Sequence, residues 1–474
     1  MDVISQRTTI TTMAYDGPHF DLICVGTGGG PDESNLSAYI FKSVHEPWDS
    51  GSVAIDAGSG VGALAKAIQA DPGMLQDLRD SLPDESQSSN SPYPPTSAKA
   101  DTRQDADGYR LASRIYSSVT AYLITHPHLD HLAGLIINSS QKFGSYKRLV
   151  GFEKTLKGIE LAFGGLLWPA LASWSNCGGL VERLQYLQVE PFARFDIPTP
   201  KTLFKCVPFP VSHGTIGLVA DARTHAYLQV EKDPNEVYDS IAYFVELSHE
   251  HSSKSFLFWG DVEPDAISTL PRNKPVWIEA AKRFVLGELQ WIWIECSYMN
   301  SRPNNLLFGH FKPDLLIDEL ETLAIVVEKF RQMPEEELRN INATEFSVDG
   351  CTDQAKKDEH ILANTDAADP DDSPTSDASH PLSHQASKAV KNALFGGLNH
   401  AARIGYNKGF NLYKHSTSKP LDGLTISITH VKEDPMLGFD VVSETIMREL
   451  QSNSSTLDLG VRFYRAKQGE RIRF

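Results

Sequence analysis

Three histidines and one aspartate occupy six positions in THPHLDHLAGLIINSS, residues 125–140. His126 and His128 stand two apart, a spacing that turns both imidazoles to one side of an extended backbone, and Pro127 stiffens the segment between them. Asp130 and His131 follow at the start of a short apolar helix marked by Leu132, Leu135 and Ile136, aimed back toward the same place. Imidazole nitrogens mixed with a carboxylate suit Zn²⁺ or another divalent first-row ion. Four ligands in six residues crowd a single ion, so two sub-sites are open to them. Paired catalytic ions stand about 3.5–4 Å apart and call for further ligands from distant strands, with a carboxylate able to bridge.

Residues of the right type close three other apolar runs: His213 in CVPFPVSHG, Asp261 in SFLFWGDVEPD and His430 in LTISITHVK. The recurrence of one pattern, an apolar strand ending in a ligand type, carries more weight than any lone histidine. His249 and His251 in SHEHSSKS fall between two strand-like runs and read as a hairpin tip, not a metal site.

The elements that must position these residues alternate along the chain. FDLICVGTG, SVAIDAG, VTAYLITH, LFKCVPFPVSH, IAYFVELSHE, SFLFWGD, LQWIWIECS and LTISITHVK read as strands, several too apolar to face water on either side. Helical spacing predicts helices over 60–70, 131–139, 159–187, 275–286 and 313–331. In the last of these Leu316, Leu320, Leu323, Ala324 and Val327 recur on one face behind Pro313. Interleaved strands and helices predict an α/β fold with sheet packed between helices. GTGGG is read as a tight turn, because Pro31 replaces the last glycine of a dinucleotide fingerprint. Asp56 in IDAGSG is read as ordering the neighbouring metal-bearing loop through hydrogen bonds.

Bulk properties narrow the function classes. The formal charge is −17 over 474 residues, of which residues 77–107 contribute −4 and 349–379 contribute −7. What remains is acidic, without the basic footprint that nucleic acid requires, so no nucleic-acid partner is expected. Both stretches are rich in Ser, Pro and Asp, and residues 79–107 and 350–388 are read as disordered low-complexity insertions in loops of a single catalytic domain spanning 1–474. Five cysteines, far apart and without a CxxC pair, argue against disulfides or a cysteine zinc site. No long apolar run and no secretory start are visible, so a cytoplasmic protein with no membrane partner is expected.

HPHLDHLAGLIINSS closely resembles the signature of the class II cyclic-nucleotide phosphodiesterases, within the metallo-β-lactamase superfamily. The match runs from His126 through Ser139, with Ser140 standing where the family usually has Ala or Pro. VGTGGGPDESNLSAYI, AIDAGSG, LLWPALAS, FGHFKPDLLIDEL and GVRFYRAKQGERIRF resemble further segments of the same family. The resemblance implies a metallo-β-lactamase-like αββα sandwich of two mixed sheets flanked by helices, with the metals at one edge. It implies His126, His128 and His213 on one zinc, Asp130, His131 and His430 on a second, and Asp261 bridging them. The implied activity is hydrolysis of 3′,5′-cyclic nucleotides, cyclic AMP with cyclic GMP left open as a second substrate, to nucleoside 5′-monophosphates by a water that the two ions activate, with Asp130 among the catalytic residues. His310 in FGHFKPDLL and Glu295 in WIWIECSY resemble the proton-transfer pair of the related tRNA 3′-processing endonucleases, and are read as general acid and orienter. Trp168 and its apolar neighbours are candidates to line the substrate pocket. Two rivals stand beside this reading: a tRNA 3′-endonuclease of the same superfamily, and a catalytically silent cyclic-nucleotide-binding or scaffold protein.

Overall fold

The structure, a computed structural model, describes residues 17–80, 100–175, 183–215, 236–248, 253–346, 419–453 and 458–474, with 100–106 known in backbone only. Two units divide the chain, one of residues 1–343 with 420–474 and one of residues 344–419. Nearly all of the second unit, including the insertion read at 350–388, lies outside the described residues. The account below concerns the first unit.

One sheet combines β1 (Phe20–Gly29), β2 (Leu36–Ser43), β3 (Ser52–Ile55), β4 (Val119–Leu123), β5 (Lys147–Gly151), β6 (Ala172–Ser173), β7 (Leu184–Gln188) and β15 (Arg471–Arg473), in the order β15-β1-β2-β3-β4-β5-β7-β6. The other combines β8 (Phe195–Pro198), β9 (Leu203–Thr215), β10 (Val237–Ser248), β11 (Ser253–Trp259), β12 (Leu289–Glu295), β13 (Thr425–Thr429) and β14 (Arg462–Arg465), in the order β14-β13-β12-β11-β10-β9-β8. Both are mixed: β3, β4, β5 and β7 run parallel, as do β11 to β14, while the hairpin strands of each sheet pair antiparallel. The helices are α1 (Val61–Ala70), α2 (Gln76–Asp80), α3 (Ala100–Ser118), α4 (Leu129–Asn138), α5 (Glu153–Ala162), α6 (Asn273–Val285), α7 (Pro313–Phe330), α8 (Glu335–Arg339) and α9 (Gly438–Ser452).

Strand alternation sorts the apolar residues into two layers. On β1, Leu22 and Cys24 enter the core between the sheets, where they meet Phe204, Tyr243, Phe256 and Trp293 of the second sheet. Ile23 and Val25 point the other way, onto Leu64 and Ile68 of α1 and Leu111 and Ile115 of α3. Helix α6 contacts β9 and β12 of the second sheet and packs on α7, completing an αββα sandwich. Edge-to-face aromatic pairs bind the two sheets, with Phe20 against Phe256 at 4.8 Å and Phe41 against Phe204 at 5.2 Å. Each such pair is worth about 0.5–1.5 kcal/mol beyond its buried area. No helix among the described residues is long and apolar enough to cross a membrane.

All eight strand-like runs form strands, and four of the five helices form close to the expected bounds. The helix expected over 159–187 does not. Helix α5 stops at Ala162 and is followed by Gly165 at φ +86°, a left-handed turn that glycine adopts without a Cβ clash; Pro169 lies just beyond, and Leu184 and Tyr186 then alternate inward on β7. Likewise α3 begins at Ala100, inside the stretch read as loop, because Leu111, Ala112, Ile115 and Tyr116 bury one face and anchor the helix from its C-terminal half. Gly26, Gly28 and Gly29 of GTGGG lie in β1, whose pairing with β2 shifts register twice, so the turn expected over GTGGG is confined to its last glycine, Gly30 at φ +82°.

Candidate metal centre and active site

The C-terminal ends of parallel strands gather at one edge of the sandwich. Asp56 follows β3, His126 and His128 follow β4, Asp261 follows β11, Glu295 ends β12 and His430 follows β13. His213 lies near the end of β9, which runs antiparallel to β10 and hence in the direction of β11. After β4 the backbone of His128 is extended and caps α4, placing Asp130 and His131 in the first helical turn, where a carboxylate also suits the helix dipole.

These residues converge on Asp261. Its Oδ2 lies 3.6 Å from Nε2 of His126, 3.6 Å from Nε2 of His213 and 3.3 Å from Nε2 of His430, and its Oδ1 lies 3.3 Å from Nε2 of His131. Nε2 of His126 is 3.0 Å from Nδ1 of His128, and Nε2 of His430 is 3.2 Å from Oδ2 of Asp130. Metal–ligand bonds of about 2.1 Å in a tetrahedral shell set ligand atoms about 3.4 Å apart, so these separations are edges of such shells. Two ligand groups emerge, His126, His128, His213 and Asp261, and Asp130, His131, His430 and Asp261; a third brings His213, Asp261, Glu295 and His310 together.

The tautomers support the same fit. His213 Nδ1 donates to the carbonyl of Gly309 at 2.9 Å and His131 Nδ1 to Asp56 Oδ2 at 2.7 Å, so both Nε2 lone pairs face the carboxylate of Asp261. Lone pairs turned on a buried carboxylate call for a cation between them, a proton on His131 Nε2 or a metal ion. Asp261 is 2 % exposed, yet its Oδ2 accepts no hydrogen bond among the described residues. The residues therefore fit divalent metal.

Electrostatics follow the geometry. Burial, with neighbouring imidazoles, pushes His126 well below the ordinary histidine value and takes His128 and His213 down to about 4, leaving neutral rings fit to ligate. Burial would also lower His131, but Asp261, Asp56 and Asp130 outweigh it and raise the ring well above the usual range. Against its burial, Asp261 is held well below the usual carboxylate range by His430, His131 and His126. Asp56 at φ +52° and His430 at φ +53° sit in left-handed backbone that non-glycine residues rarely adopt, a concentration of strain at the site.

His310 and Glu295 form the adjoining pair. His310 Nδ1 is 2.8 Å from Glu295 Oε1, which accepts from the Val262 amide, while Oε2 accepts from Ser297 Oγ and the Phe311 amide. Burial, then Asp261, pushes Glu295 up to about 7, and burial pushes His310 well down.

Every ligand candidate lies in this cluster, whereas Trp168 does not. Its Nε1 donates to Ser139 Oγ at the far end of α4 from Asp130 and His131. His249 and His251 lie outside the described residues, between the paired Ser248 and Ser253 of the β10–β11 hairpin. Three residues at the site were not singled out in the sequence. Tyr238 stacks on His128 at 4.4 Å, Ser297 Oγ lies 3.2 Å from His430 Nδ1, and Lys432 Nζ lies 3.7 Å from Asp130 Oδ2. Ser297 and Lys432 each stand two residues past a site residue, the signal that period-two spacing offered.

Residues 86–342 match the family model of class-II cAMP phosphodiesterases. A 3′,5′-cyclic-nucleotide phosphodiesterase of Schizosaccharomyces pombe is 28% identical over 66% of this chain and 77% of its own length. One from Aliivibrio fischeri is 29% identical over 64% and 75%. The unliganded crystal structure of yeast PDE1 shares the fold, with a TM-score of 0.62 at 20% identity over 96% of this chain and 100% of the other.

Proposed function

The chain belongs to the class-II cAMP phosphodiesterase family and is a 3′,5′-cyclic-nucleotide phosphodiesterase, and from that premise we propose that it hydrolyses cyclic AMP and cyclic GMP to nucleoside 5′-monophosphates at a pair of divalent ions. The observation that carries the reading is the buried, unpartnered Oδ2 of Asp261 among four imidazole nitrogens at 3.3–3.6 Å from its carboxylate. His126, His128 and His213 would hold one ion, Asp130, His131 and His430 the other, and Asp261 both. The ligand set suits zinc. Such ions supply an activated water near neutral pH and offset charge on the phosphoryl oxygens.

The chain's own groups do the rest. Asp130, whose side chain is 22 % exposed, faces the opening and orients the attacking water. Glu295, pushed up to about 7, carries a proton that Oε1 donates to Nδ1 of the neutral His310 ring at 2.8 Å, which leaves the ring hydrogen on Nε2. As Nε2 gives it to the departing 3′-oxygen, a poor leaving group unless protonated, Nδ1 takes up the proton of Glu295. A substrate with one negative charge, and no extended polyanion, agrees with an acidic chain.

The test is hydrolysis of cyclic AMP, cyclic GMP and precursor tRNA by protein loaded with zinc, with product identified by chromatography and chelator as control. Chelator-sensitive release of 5′-monophosphate is expected from both cyclic nucleotides. Cleavage of the tRNA alone, or binding of cyclic AMP without turnover, would overturn the proposal.

A further inference from the structure

A cavity of about 610 Å³ is bounded by Gly29–Pro31, by Tyr298, Arg302 and their neighbours, and by Lys432–Pro435. That volume is of the size small-molecule sites use, roughly 300–1,000 Å³. Three of its lining residues reach the centre. A Cβ at Gly29 would stand 2.5 Å from His430 Cε1, so only glycine lets this wall of the cavity pass directly over that imidazole. Lys432 Nζ is 3.7 Å from Asp130 Oδ2 and donates to the Gly29 carbonyl at 2.8 Å. The Tyr298 ring lies 6.0 Å from that of His310. The cavity therefore borders the side of the centre formed by Asp130, His430 and His310.

Its walls are chemically sorted. Lys432 puts an ammonium beside the centre with N–H groups beyond the one Gly29 takes. Farther out, the Arg302 guanidinium lies 4.8 Å from the centroid of the half-buried Tyr298 ring and 5.7 Å from that of Phe308, and Arg302 Nε is fixed by the Leu306 carbonyl at 2.9 Å. A flat, pre-ordered cation–aromatic surface is what a nucleobase stacks on. Glu433 and Asp434 line the same cavity and repel any second phosphate.

Resting on the phosphodiesterase reading, we propose that this cavity receives the nucleoside of the substrate, with the base against the Tyr298–Arg302 wall and Lys432 Nζ on the cyclic phosphate. The arrangement admits a singly charged mononucleotide and disfavours a polynucleotide, whose next phosphate would meet Glu433 and Asp434.

Calorimetric titration of zinc-loaded protein with 5′-AMP and with inorganic phosphate tests the assignment without depending on turnover. Phosphate reports the centre and Lys432 alone, and 5′-AMP adds the nucleoside. In Tyr298→Leu the preference for 5′-AMP over phosphate should fall about tenfold or more, in line with the usual worth of base stacking, with zinc content unchanged. Tyr298→Phe should keep the preference. Lys432→Met should weaken both ligands alike. An unchanged preference in Tyr298→Leu, or equal damage in Tyr298→Phe, would overturn the proposal. Failure of the wild-type protein to hydrolyse cyclic AMP would be a separate result, read in a separate assay, and would remove the activity itself.

Discussion

Asp56 Oδ2 lies 2.7 Å from Nδ1 of His131, while Asp56 Oδ1 accepts from the Thr125 amide at 2.9 Å, so one carboxylate ties the loop after β4 to the first turn of α4. Asparagine tolerates the φ of +52° found there, so Asp56→Asn spares the backbone. It offers one acceptor where two directions need one. With its amide nitrogen toward His131, the imidazole must accept at Nδ1 and carry its proton on Nε2, where the metal belongs. Metal affinity in Asp56→Asn should therefore fall about 10–100-fold, measured by competition with a chelator. Unchanged affinity would mean that the bond is structural only.

Lys147 offers a pH test remote from the metals. It is 6 % exposed, its Nζ donates to the Val119 carbonyl at 2.7 Å, and burial takes it from 10.5 down to about 8. Below pH 8 both folded and unfolded chains carry the proton, and the cost of the buried charge is constant. Between pH 8 and 10.5 the unfolded chain holds the proton that the folded one has lost, so stability rises with pH. Relative to Lys147→Met, the wild-type protein should gain roughly 3 kcal/mol across that window, read from urea unfolding of both. Parallel curves would contradict it.

Much of the centre was legible because ligand type and strand periodicity coincide within a few residues. His126, His213, Asp261 and His430 each close an apolar run, and a strand's end is where a side chain leaves the core for a site. Local spacing does not encode which residues meet: it marks Asp56 as ordering the metal-bearing loop without naming its partner, and Asp130 joins His430 only through the family resemblance. The bond from Asp56 to His131 spans 75 residues and that from Asp130 to His430 spans 300. Sheet register, set by cross-strand packing, brings them together. The reading of 159–187 as helix failed for a local reason, since apolar Leu184 and Tyr186 were assigned a helical period that Gly164, Gly165 and Pro169 had already interrupted.

The proposed bridging of two ions by Asp261 is tested by Asp261→Asn. The amide keeps shape but loses the charge and one lone-pair-bearing oxygen, and its N–H₂ group would confront imidazole lone pairs at 3.3–3.6 Å. Metal content should fall from two ions per chain to one or fewer, and turnover should be lost with it. Atomic absorption alongside the hydrolysis assay distinguishes the outcomes. Two retained ions with normal turnover would end the bridging assignment.

The His310–Glu295 pair is separable from a structural role by the leaving group. A ribose 3′-alkoxide needs a proton as it departs, whereas 4-nitrophenolate does not. His310→Ala and Glu295→Gln should each lower kcat on cyclic AMP about 10²–10⁴-fold, with KM little changed. The double variant should be no worse than the worse single one, since the two act as a unit through their 2.8 Å bond. On bis(4-nitrophenyl) phosphate the same variants should lose far less. Equal losses on both substrates would show that the pair supports the site's shape and not proton delivery, because damaged geometry is blind to which oxygen leaves.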